Sequence, residues 1–164
     1  MMVVHGLGVR VEWDPSLSRE IRTVLEPYVA RYSDLIPPWC HTLEIMSAAL
    51  AGEDEGDLSD CVMAMSAQYK YRRTRLFVHT DYLDQRDDER EQMFVHELVH
   101  VLNAPLIDFT DQLIAILEIK APDAKEMMDV LHEGGMEAAT EDTAMLLWRL
   151  TEGRRHPEVD WKFV

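Results

Sequence analysis

Positive charge is scarce in this 164-residue chain, which has 16 lysines and arginines against 31 aspartates and glutamates and a formal net charge of −15. A field of that sign repels phosphate backbones, so direct nucleic-acid binding is not expected. Cysteine is scarcer still. Cys40 and Cys61 are the only two, and they form neither a Cys-x-x-Cys pair nor the dense spacing of a disulfide scaffold. Free thiols in a reducing compartment are the expectation, although both residues fall at expected strand starts and a bridge stays open. No apolar window reaches the length of a membrane span, and residues 1–6 lack a basic segment followed by a long apolar run. Neither a span nor a secretory leader is expected, and the expected location is cytoplasmic. There is no internal repeat and no low-complexity tract.

What is present suits a globular protein: 47% hydrophobic and 29% charged residues. The length suits one domain over residues 1–164, as two lobes of about 1–103 and 104–164 sharing a cleft. Residues 9–13 alternate as a short strand. Asp14-Pro15 reads as a helix start, followed by the helical stripe Leu17, Ile21, Val24, Leu25, Tyr28, Val29 and Tyr32; Pro27 within it predicts a kink or an early end. Residues 39–48 alternate as a strand, and 51–57 read as an exposed acidic loop. Alternation from Cys61 to Tyr71 and again over 75–80, around a turn at 72–74, predicts a β-hairpin. A helix then opens at Asp87, with Asp88 as N-cap and Glu91 as its N3 partner, and Asn103-Ala104-Pro105 should end it. Beyond lie a helix around Leu113–Leu117, a third over 124–131 after Ala121-Pro122, a sharp turn at Gly134-Gly135, and a long helix from Met136 to about Leu150.

The chemistry concentrates in His96-Glu97-Leu98-Val99-His100. Residues four apart stack on one helix face, so two imidazoles there can grip one metal ion, with Glu97 near enough to act on a bound water. The apolar neighbours Phe94, Val95, Leu98, Val99, Val101 and Leu102 bury the rest of the helix and leave the two histidines and Glu97 on a polar stripe.

This stretch resembles the active-site helix of the zincin metallopeptidases. The resemblance implies a compact α+β fold: a small N-terminal sheet with a helix, the motif helix as cleft floor, and a helical C-terminal lobe. It also implies one Zn2+ per chain held by His96 and His100, with Glu97 as general base. A third ligand must follow downstream. Residues 101–106 contain neither His nor Gly, which removes the metzincin branch, and the remainder is similar to the gluzincin branch, where a glutamate on a later helix completes the site. Glu133, Glu137 and Glu141 all fall at one-turn intervals. Glu137 is preferred as ligand because Glu141 follows one turn on, placed to orient a ligating histidine. The implied activity is zinc-dependent hydrolysis of a peptide or protein substrate, with no nucleic-acid or membrane partner. Two other readings stand beside it: a zincin-fold regulator or interaction module that hydrolyses little, and a helical protein without metal in which both histidines are hydrogen-bonded core residues. Tyr69, Tyr71, His132 and His156 are all candidates for stabilising an oxyanion, with nothing to choose among them.

Overall fold

Apolar alternation with a period of two builds the first layer. In the computed structural model, which describes residues 2–3, 9–52, 58, 61–120 and 122–155, five strands form one sheet: β1 (Met2–Val3), β2 (Arg10–Trp13), β3 (Thr42–Ser47), β4 (Met63–Gln68) and β5 (Arg73–Val78). Their order is β1-β2-β3-β5-β4. The three inner strands are parallel, and β1 and β4 run antiparallel at the two edges. Val11, Leu43, Ile45, Leu76 and Val78 point into the core, as the pleat requires.

The hairpin β4–β5 forms, but its turn lies earlier than expected. A 3-10 turn at Tyr69–Tyr71 and Arg72, at φ 54°, reverse the chain, so β5 begins at Arg73. The Arg72 carbonyl accepts the N–H of His41 at 2.8 Å, which ties this reversal to the start of β3. That strand starts at Thr42 and not at Trp39, since Cys40 N–H turns back to the Pro37 carbonyl. Cys40 is buried and Cys61 exposed, and both are free.

The helix expected from Asp14-Pro15 starts later, as α1 (Arg19–Tyr32), with the Ser18 hydroxyl accepting the Ile21 N–H. Pro27 does not end it, because Ile21, Leu25, Val29 and Tyr32 are buried on both sides of the proline and hold the helix to the core. The acidic stretch 53–57 and the tail 156–164 lie outside the described residues.

Two 34-residue helices follow, α2 (Asp87–Lys120) and α3 (Pro122–Arg155). The N-terminal box of α2 sits two residues earlier than expected: Glu89 accepts the Arg86 N–H at 3.1 Å. Glu91 is instead buried, paired with Arg31 and accepting the Tyr32 hydroxyl at 3.0 Å. Pro105 does not end α2, and the boundary expected near residue 103 falls inside a helix. Gly134-Gly135 likewise makes no turn, and the pieces expected at 124–131 and 136–150 are one helix opened by Pro122, a position where a missing N–H costs nothing. Local breakers are overridden because α2 and α3 lie side by side, and that packing stabilises helix where sequence punctuation opposes it. The result is an α+β fold with a small mixed sheet. Among the described residues no helix is long and apolar enough to cross a membrane.

Candidate metal centre

The first half of α2 supplies the site. Phe94, Val95, Leu98, Val99 and Val101 are at most 1% exposed and fix the helix against α1 and the sheet. Burying each large side chain is worth about 1.5–3 kcal/mol, so the rotation of the helix about its axis is strongly determined. The opposite stripe carries His96 and His100, each about a fifth to a quarter exposed. Their Nε2 atoms lie 3.2 Å apart.

α3 supplies the carboxylates. Glu137 stands 3.2 Å from His96 Nε2 and 3.7 Å from His100 Nε2. These three residues offer ligand atoms that all lie within 4.8 Å of one another. A tetrahedral zinc with bonds of about 2.0–2.1 Å sets its ligand atoms about 3.3–3.4 Å apart; the Nε2 pair and the Glu137 Oε1–His96 contact, both 3.2 Å, come near that spacing, while the oxygen that faces His100 is Oε2, at 3.7 Å. Glu141 lies 3.0 Å from His96 Nδ1. A proton held on Nδ1 and shared with that carboxylate leaves the Nε2 lone pair pointing at the common centre. Four residues expected at the site from sequence, His96, His100, Glu137 and Glu141, are thus brought together.

Glu97 lies one residue from His96, at the wall of a cavity of about 370 Å³ that His96, Glu141, Met93, Met145 and Trp148 also line. It keeps some surface there, while protein crowds most of its carboxyl. Burial and the Glu137 charge push that carboxyl up to about 8, opposed by a hydrogen bond donated from the Met65 backbone N–H. Burial and the adjacent His96 pull His100 down from its ordinary value, with Glu137 acting the other way. On the His100 side a second cavity, of about 450 Å³, is lined by Gln68, Tyr69, Tyr71, Ala104 and Asp108. Both cavities run along β4, the edge strand.

Tyr69 and Tyr71 therefore stand in a cleft wall, whereas His132 lies against Asp111 at 3.8 Å. His156 and the Glu133 side chain lie outside the described residues. Sequence reasoning did not find Met65, which acts through a backbone N–H that carries no side-chain signal. Comparison with protein families, curated proteins and solved structures finds no match to this chain.

Proposed function

We propose that the chain is a zinc-dependent peptidase with a zincin-like site of the gluzincin type. His96, His100 and Glu137 hold the ion, Glu97 is the general base, and Glu141 orients His96. The observation that carries this reading is the convergence of the two Nε2 atoms, 3.2 Å apart, with the Glu137 carboxylate, one oxygen of which lies 3.2 Å from His96 and the other 3.7 Å from His100. Zinc held there would supply Lewis-acid polarisation of a carbonyl and an acidified water. Glu97 takes the proton of the attacking water and delivers it to the departing amine. A cation at the triad favours the ionised carboxylate and so opposes the burial that keeps Glu97 protonated. Among the described residues β4 is the edge strand of the sheet, so its outward backbone groups, other than the Met65 N–H that Glu97 holds, would be offered to an extended peptide, and the flanking cavities leave room for its side chains.

The test is turnover of a peptide library by zinc-loaded protein, beside a Glu97→Gln variant. The parent should cleave, and the variant should keep its zinc while losing at least ~10²-fold in rate. A zinc-loaded parent that leaves the library intact sinks the peptidase and leaves a zinc-binding module. Failure to bind zinc sinks both.

A further inference from the structure

The acidic residues 133, 137 and 141 follow one another at one-turn intervals on α3, so attraction to the histidines does not by itself choose which of them faces His96 and His100. A slide of α3 along α2 by one turn, about 5.4 Å, would exchange one for the next. Apolar packing discriminates weakly as well, since the one buried apolar side chain that α3 contributes among the described residues, Ala144, is small, and Leu147 is only partly buried.

A polar contact to a fully buried side chain does discriminate. Asn103 Nδ2 donates to Thr140 Oγ1 at 3.3 Å, and Thr140 is 0% exposed. Asn103 follows His100 by three residues and Thr140 stands between Glu137 and Glu141 on α3, so the bond sits within one turn of the candidate ligands on each helix. One turn either side of Thr140 stand Met136 and Ala144. Neither offers Asn103 an oxygen acceptor, and a slide would also leave the Thr140 hydroxyl without this partner.

We infer that the Asn103–Thr140 hydrogen bond is a register pin, which sets how far α3 lies along α2 and thereby brings Glu137, with Glu141 behind it, to the histidines. Both are positioning residues. The geometric part stands on the helix pair alone, and its effect on zinc rests on the metal reading above.

The experiment uses Thr140→Val, which keeps shape and loses the hydroxyl, Asn103→Ala, and the conservative Thr140→Ser. Two readouts are taken on each: competitive zinc titration, and the distance between nitroxide labels at the exposed positions Gln112 and Val130, in a Cys61→Ser background and without metal. Loss of a buried hydrogen bond of this kind shifts an equilibrium by ~10-fold or more. Thr140→Val and Asn103→Ala should lose zinc affinity by at least that factor, with the label distances moving or broadening by about one turn, and Thr140→Ser should return both to parental behaviour. Unchanged affinity and distance in Thr140→Val overturn the pin. Weaker zinc binding with an unchanged distance overturns it too, as the pair then acts otherwise than through register. If the parent takes no zinc, the metal reading fails by itself. The label distances alone then decide the pin: a shift supports it and an unaltered distribution overturns it.

Discussion

Replacing Glu97 by glutamine should stabilise the metal-free protein, and should do so increasingly as the pH rises. The Glu97 carboxyl is pushed from 4.5 up to about 8, first by burial and then by the Glu137 charge. Between those values the folded protein keeps a proton that the unfolded chain has released, so folding stability falls with increasing pH. This contribution is fully present below the unfolded value and is lost as pH rises through about 8. At about 1.36 kcal/mol per pH unit the ceiling is on the order of 4–5 kcal/mol, which water at the cavity wall reduces to about 2–3 kcal/mol. Glutamine keeps the shape and an acceptor for the Met65 N–H but has no charge to bury. His100 works in the opposite sense. Its folded value is lowered, so its contribution is present above the unfolded value of 6.5 and lost as pH falls, but it is common to both proteins and cancels in the difference. Urea unfolding of chelator-treated parent and variant should give curves that nearly coincide at about pH 5 and separate in favour of Glu97→Gln by about pH 8. Parallel curves across that range would refute a buried, charge-strained carboxyl at position 97.

Zinc should bind at about one ion per chain, and at a free concentration ~1,000 times its Kd should raise stability by about 4 kcal/mol, read as a shift of the urea midpoint. Glu137→Ala should weaken zinc binding most, with Glu141→Ala intermediate at roughly 10–100-fold and Glu133→Ala least; competitive titration gives the order, and a dominant effect at 133 would move the ligand by one turn. Gly134→Ala and Gly135→Ala should each stabilise by about 0.5–1 kcal/mol, because both glycines lie in a helix with nothing within 4 Å of an added methyl group. A drop in melting temperature for either would place that residue outside a regular helix. Glu91→Ala should cost about 1–3 kcal/mol by removing the acceptor of the buried Tyr32 hydroxyl and the partner of the solvent-reaching Arg31, measured by denaturant unfolding at neutral pH.

What was legible in the sequence is what short-range periodicity encodes. The stripe Ile21, Leu25, Val29 and Tyr32 and the buried face of the motif helix follow from a 3.6-residue repeat, and β4–β5 from alternation. The grouping of Glu137 and Glu141 with the histidines was legible because the carboxylates share one helix face. The failures have a common cause. Pro105, Gly134 and Gly135 carry strong local signals for breaking a helix, and pairing between residues tens of positions apart outweighs them. Glu91 was misassigned for the same reason: as a capping residue it needs only a neighbour three positions away, whereas its actual partners, Arg31 and Tyr32, belong to another helix. The edge position of β4 is a property of strand order, which alternation along one strand does not report.

Pro105 also divides α2 into two parts. Its ring nitrogen has no hydrogen to give the Val101 carbonyl, so the ladder of the 34-residue helix lacks a rung just after His100. Before the gap the helix is nailed to the core; beyond it Leu106, Phe109 and Ile116 are more than half exposed. In terms of cooperativity, one of the bonds that couple the two parts is missing, which favours fraying of the outer part ahead of the half that carries the histidines. The weakened rung thus falls between the half of α2 that carries His96 and His100 and the half whose apolar side chains are exposed.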